Sequence, residues 1–191
     1  WRTLVLMNRG FWDPVNVKLF PVAAKAIHDC CCPAVEVFFA SMSPNTDIKL
    51  HSDFANFVLT SHLALDIPNS GENLCRLTIG DTERQWINGE IMLFDTSILH
   101  SAVNESEKTR FILMMRVWHP DLTETERNAL QYIYNCLEFP ELASGDVSER
   151  ICADAIVEAA RRFPEIKKGT GRKSGFLDRS VSRRMHRKKR K

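Results

Sequence analysis

The sequence contains no run of eighteen or more uncharged apolar residues, the length one helix needs to cross a bilayer, so no transmembrane segment is expected within it. It also lacks a disulfide framework. Of its six cysteines, Cys30, Cys31 and Cys32 are adjacent while Cys75, Cys136 and Cys152 are scattered through apparent strands and helices, which points to free thiols. The second, spaced pair of cysteines that a structural zinc site needs is missing, and no internal repeat is evident. There is no initiator methionine: the chain opens at Trp1, so a membrane anchor or endoplasmic reticulum targeting signal ahead of it stays open and the compartment is unknown.

What is present suits one substantial core, since 191 residues with 44% apolar composition do not readily make two independent enzyme domains. The net charge of +2 conceals an asymmetry. Fourteen of the 26 Lys/Arg and two of the 24 Asp/Glu fall in residues 161–191, a segment charge of +12, which leaves −10 on residues 1–160. A mildly acidic globule with a basic tail differs from a nucleic-acid binder whose positive charge lies on a folded face. The expected organisation is a β domain over 1–122, a helical extension over 123–163 and a basic, disordered tail over 164–191. The tail's charge suits nucleic acid, an anionic membrane or an import receptor, against the plain alternative of a solvated extension with no partner.

Between Val35 and His119 the chain reads as short strands at 35–41, 57–67, 74–79, 84–87, 90–94 and 110–118, separated by turn-forming clusters such as Ser43-Pro44-Asn45, Gly80-Asp81 and Asn104 to Thr109. This predicts a mainly β fold, a sandwich, jelly roll or barrel. Asn88-Gly89 is the strongest hairpin signal and is expected to join 85–87 to 90–93. On the strand from Phe57, positions 58, 60, 62 and 64 have the parity to line a cavity. After Pro120 the period becomes helical: Thr123 and Glu126 form a capping box for a helix to about 138 with Leu130, Ile133, Tyr134 and Leu137 on its apolar face. A second helix is expected from Asp146 to before Pro164, burying Ile151, Ala155, Ile156, Ala159 and Phe163, and a short one after Pro21.

Chemistry concentrates at a few residues. His51-Ser52-Asp53 places an imidazole and a carboxylate two residues apart, on one side of an extended segment. His100 follows a strand end and turn, where the chain can return to that pair. Two histidines and a carboxylate leave three positions of an octahedral metal open, which suits non-haem Fe(II) in oxygenases; Zn2+ in a hydrolase is the alternative. Arg110, expected beside His100 if Asn104 to Thr109 closes a hairpin, can then fork onto the far carboxylate of a dicarboxylic keto acid chelating the metal. Its alternative is a salt bridge to an acid such as Asp95. His62 is either a hydrogen-bond donor to the bound carboxylate or a satisfied core histidine.

These residues carry a resemblance. Ser43-Pro44-Asn45-Thr46, His51, Asn56, His62 through Pro68, Trp86 with Gly89, Phe94-Asp95-Thr96-Ser97 with His100, Arg110, and Val117 through Leu122 together resemble the aspartyl/asparaginyl β-hydroxylase family over roughly Phe38 to Leu122. The resemblance implies a double-stranded β-helix (jelly roll, cupin-like) with Fe(II) at His51 and His100, 2-oxoglutarate contacted by Arg110 and His62, O2 as the other cosubstrate, and hydroxylation of the β-carbon of Asp or Asn in a protein or peptide. Hydroxylation of a lipid acyl chain or a small amino acid, or a zinc-binding or non-catalytic module, are its alternatives. Two positions depart from the family pattern: Asp53, a metal ligand on chemical grounds, stands where members carry a small non-ligating residue, and Thr60 stands where they carry an arginine. Arg76, on a nearby strand, is the candidate to compensate.

Overall fold

The computed structural model describes residues 1–53, 55–69 and 71–166, so most of the basic tail lies outside the described residues. Strands β1 (Arg2–Asn8), β2 (Phe11–Trp12), β3 (Ala34–Met42), β4 (Thr46–His51), β5 (Val58–Asp66), β6 (Cys75–Ile79), β7 (Thr82–Gln85), β8 (Ile91–Phe94), β9 (His100–Asn104) and β10 (Arg110–Trp118) alternate with helices α1 (Asn16–Leu19) and α2 (Pro21–Asp29) and are followed by α3 (Glu124–Glu138) and α4 (Val147–Arg161). They form two antiparallel sheets, a six-stranded one ordered β2-β1-β3-β10-β5-β8 and a four-stranded one ordered β4-β9-β6-β7. The fold is the expected mainly β jelly roll with C-terminal helices.

The sheets face each other across Ala40, Ala64, Leu77, Trp86, Ala102, Ile112 and Met114. Burying a side chain such as Ile112 contributes roughly 2–3 kcal/mol. A second core, with Leu6, Val17, Ala24, Ile27, Val37 and Leu113, lies on the other face of the large sheet, beneath α1 and α2. The alternation on β5 is as read: Val58, Thr60, His62 and Ala64 are all buried.

Three expectations are corrected. Asn88-Gly89 is a turn but not a hairpin, because β7 pairs with β6 in the small sheet and β8 pairs with β5 at the edge of the large one. Glu90 N–H closes on Ile87 C=O at 2.9 Å, and Gly89, not Asn88, has positive φ, so the type I′ geometry that matches hairpin twist is not formed. Asn88 instead pins the crossover to the end of β5, accepting from Ile67 N–H at 2.7 Å and donating to Ile67 C=O at 3.2 Å. The two-residue turn with both φ positive is Arg9-Gly10, between β1 and β2. Second, residues 104–109 do not close a hairpin. The chain crosses there from the small sheet to the large one, so Arg110 faces His100 across the sandwich rather than beside it.

The helix faces differ too. The capping box of Thr123 and Glu126 forms, and Asp146 caps α4 by accepting from Ser148 N–H at 2.7 Å. Yet α3 buries Gln131 and Asn135 and leaves Ile133 and Leu137 more than half exposed. Gln131 donates to Arg9 C=O at 2.8 Å and to Asn135 Oδ1 at 3.0 Å, serving the backbone of the tight β1–β2 turn, and this local polar requirement sets the rotation of the helix. On α4, Ala153 and Val157 pack on Leu142, while Ile151 and Ile156 point outward. No helix among the described residues is long and apolar enough to cross a membrane.

Candidate functional site

A cavity of about 330 Å³ opens between the two sheets, and His51, Asp53, His62, His100 and Arg110 all line it. The histidines come from neighbouring strands of the small sheet. Ile48 pairs with Ala102, so regular pairing would place Leu50 opposite His100 and turn His51 to the other face; a bulge in β4 inserts one residue and puts His51 opposite His100 instead. Their ring centroids are 4.3 Å apart. Each ring is oriented by its own chain, with His51 Nδ1 2.7 Å from Lys49 C=O and His100 Nδ1 2.9 Å from Ile98 C=O. Donation from Nδ1 leaves Nε2 of both rings as a lone-pair donor, the arrangement in which metal-binding histidines are held.

Asp53 completes the cluster: one ligand atom from each of His51, Asp53 and His100 lies within 4.8 Å of the others. The carboxylate is divided between two neighbours. Oδ1 is 3.8 Å from His51 Nε2, while Oδ2 is hydrogen-bonded by Arg116, whose other terminal nitrogen is 3.3 Å from Glu36. The Asp53 N–H donates to Thr96 C=O at 2.8 Å, tying this segment to the turn that precedes His100.

The opposite wall belongs to the large sheet. Arg110 is fully buried, and burial pushes its pKa down to about 10. Among the described residues it makes no salt bridge to Asp95 or any other acid. Among the described residues its one polar partner is the Met42 sulfur, 3.5 Å from Nη2, and Nε and Nη1 have none. The guanidinium lies over the Trp86 ring at 4.2 Å and near Trp1 at 5.2 Å. An arginine removed from water with free N–H donors facing a cavity is arranged for an anion. Beside it, His62 accepts from the Trp86 indole N–H at 3.3 Å, and burial, then the charges of Arg110, His100 and Arg116, hold its pKa down to about 3, so the ring is neutral.

Arg76 does not compensate for Thr60. It pairs with Glu105 and Glu83 and does not line the cavity. Thr60 is buried against Thr96, with the hydroxyl oxygens 3.3 Å apart. The arginine that reaches the cavity from this side is Arg116, directly across from Thr60 in the β5–β10 register. Its signal was available, because Arg116 shares with Arg110 the alternation that turns residues 110, 112 and 114 inward. Trp86 was legible only as part of the resemblance, and nothing in its spacing announced that it would contact both His62 and Arg110.

The residues therefore fit a metal chelated by a small anionic ligand: two oriented imidazoles and a carboxylate at one wall, and unpartnered guanidinium donors at the other. A sequence profile of the aspartyl/asparaginyl beta-hydroxylases matches residues 1–120. The chain is similar to the human protein named aspartate beta-hydroxylase domain-containing protein 2, with 32% identity over 142 residues covering 70% of this chain and 37% of that protein. It is also similar to mouse aspartyl/asparaginyl beta-hydroxylase, 31% identical over 102 residues, which is 53% of this chain and 13% of that one. It thus spans well under half the length of these relatives. Among solved structures, a Cupin 2 conserved barrel domain protein from Salinispora arenicola superposes with a TM-score of 0.41 at 14% identity, covering 70% of this chain and 81% of that one.

Proposed function

We infer, from the premise that this chain belongs to the aspartyl/asparaginyl beta-hydroxylase family, that its cavity is the active site of an Fe(II)- and 2-oxoglutarate-dependent dioxygenase. Its substrate is an unactivated carbon, the β-carbon of an Asp or Asn side chain in a protein or peptide. The observation that carries this reading is Arg110: a buried guanidinium with Nε and Nη1 unpartnered, in the same cavity as the His51, Asp53 and His100 cluster.

In this reading His51 and His100 would hold Fe(II) through Nε2, with Asp53 adding its Oδ1. Fe(II) with 2-oxoglutarate and O2 supplies the oxidising power that a C–H bond requires and that no protein side chain has. The chain's own work is placement. Arg110 pairs with the keto acid's far carboxylate through its fork of donors, relieving an otherwise costly burial, and His62 donates from Nε2 to the same group. Phe38, Phe94 and Met114 keep bulk water from the reacting carbon. Arg116 holds Oδ2 of Asp53, which leaves Oδ1 directed at the histidines.

The test is an anaerobic titration with Fe(II) followed by 2-oxoglutarate, reading the visible charge-transfer absorption of a metal-bound keto acid, which requires no knowledge of the substrate. A band that His51→Ala abolishes supports the assignment. Tight Zn2+ binding with no band and no 2-oxoglutarate affinity would overturn it.

A further inference from the structure

Behind the cavity wall, one buried ring touches both groups assigned to the keto acid's far carboxylate without lining the cavity itself. Trp86 is 1% exposed. Its indole N–H reaches His62 Nδ1 at 3.3 Å, its ring is inclined only 23° to the imidazole with centroids 5.9 Å apart, and the Arg110 guanidinium lies over its face at 4.2 Å. The position of the ring is itself fixed, because Asn73 Nδ2 donates to Trp86 C=O at 2.6 Å and Asn73 Oδ1 accepts from Cys75 N–H at 3.0 Å, anchoring the residue to the start of β6.

An indole nitrogen can only donate, and a neutral imidazole carries a single N–H. A histidine that accepts from tryptophan at Nδ1 must therefore carry its proton on Nε2. We propose that Trp86 is a positioning residue that locks His62 in the Nε2–H tautomer, making it a permanent donor toward the cavity, while its face holds the plane of the Arg110 guanidinium. One side chain then pre-organises both contacts to the bound carboxylate. Tautomer is the property that matters here, because a ring that takes up a second proton only near pH 3 is uncharged under working conditions. With Nδ1 protonated instead, His62 would present a lone pair toward a carboxylate and repel it.

The inference rests on the assignment of His62 and Arg110 to 2-oxoglutarate, and the experiment separates the two. The whole chain, labelled with 15N-histidine and free of metal, is examined by long-range 1H–15N correlation, and 2-oxoglutarate affinity is measured by the anaerobic titration for wild type, Trp86→Phe, His62→Phe and the double variant. Phenylalanine keeps an aromatic ring beneath Arg110 and removes the indole N–H together with the second fused ring, a packing loss that the His62→Phe background also carries. Wild-type His62 is expected as a single Nε2–H tautomer, and Trp86→Phe is expected to mix the tautomers. Its 2-oxoglutarate affinity should fall by roughly two- to tenfold, the contribution of one hydrogen bond, with kcat at saturating 2-oxoglutarate within about twofold of wild type. In the His62→Phe background the same change should cost nothing further.

A wild-type spectrum showing the Nδ1–H tautomer overturns the inference with no variant needed, so poor folding of Trp86→Phe does not protect it. An unmixed tautomer in Trp86→Phe, or an equal loss of affinity with and without His62, overturns it as well. If wild type fails to bind 2-oxoglutarate while Trp86→Phe still mixes the tautomers, the positioning role stands and the keto-acid assignment falls.

Discussion

In Arg110→Met an apolar chain of similar length replaces a fully buried guanidinium whose nearest polar neighbour is the Met42 sulfur. Burial lowers the guanidinium's pKa to about 10 in the folded state, which corresponds to roughly 3 kcal/mol of lost charge stabilisation. At neutral pH both the folded and unfolded chains carry the charge, so this cost is present in full; it is relieved only as pH rises from about 10, where the folded group releases its proton ahead of the unfolded one. Stacking on Trp86 returns about 1–2 kcal/mol. The ligand-free variant should therefore be more stable than wild type by about 1–2 kcal/mol, a rise in Tm of roughly 2–8 °C for a chain of this size. Affinity should move the other way. Removing one member of a buried, charge-assisted pair costs roughly 2–5 kcal/mol, so Kd for 2-oxoglutarate rises at least about thirtyfold. Thermal melts without ligand and the anaerobic titration measure the two quantities. A variant that melts several degrees lower and binds 2-oxoglutarate as wild type does would refute the reasoning and make Arg110 a structural residue.

His51→Ala and His100→Ala should each abolish Fe(II)-dependent turnover with little change in the melt, checked by product formation and by calorimetry with Mn2+ in place of iron; undiminished activity in either sinks the site. Asp53→Asn keeps the shape but removes the charge shared with Arg116, and should weaken Mn2+ binding by roughly 10- to 100-fold; unchanged affinity would leave a site of two histidines. For His62, the unfolded ring takes up a proton near 6.5 and the folded ring only near 3, so falling pH favours the unfolded chain across that window and wild type should lose roughly 2.5 kcal/mol more than His62→Gln between pH 7 and pH 4.5 in urea unfolding. A chain ending after Ile166, which keeps Phe163 and Ile166 packed on the second core, should retain metal and 2-oxoglutarate binding; loss of either would make the basic tail part of the site.

How far the sequence reached can be judged residue by residue. Strong periodic signals were legible: the alternation on β5, the capping box of α3 and the cap of α4 all depend on contacts within a few residues. Strands β4 and β9 were not read and β7 was read only at its end, as part of 84–87; β4 and β7 lie largely exposed and carry little hydrophobic alternation to detect. Asn88-Gly89 misled because a turn signal reports local backbone preference and says nothing about which sheet the next strand joins. The amphipathic face of α3 misled because polar contacts to the β1–β2 turn outweighed the burial of Ile133 and Leu137, and α4 packs on Leu142 through the small Ala153 and Val157 instead of Ile151 and Ile156. His51, Asp53, His100, Arg110 and His62 were all picked out, yet the reason they meet was not. Their meeting depends on a bulge in β4 and on a chain crossing between sheets at 104–109, and both are tertiary features.

The corrected topology makes better chemical sense than the expected hairpin. Had β9 and β10 paired, His100 and Arg110 would have shared one sheet face and their separation would have been set by ladder spacing alone. Across a sandwich, the gap between the proposed metal ligands and the guanidinium is set by the packing between the sheets, where sheets typically lie about 10 Å apart. The small residues Ala40, Ala64 and Ala102 occupy that interface together with the bulk of Trp86 and Ile112. Of these residues Ala102 lines the cavity, and its short side chain leaves room there for the proposed keto acid. In the proposed reading, ligand length is set by the spacing between the sheets rather than by any strand register. Enlarging Ala102, which lines the cavity from the small sheet, would shorten the acceptable ligand without touching a charged or metal-binding group.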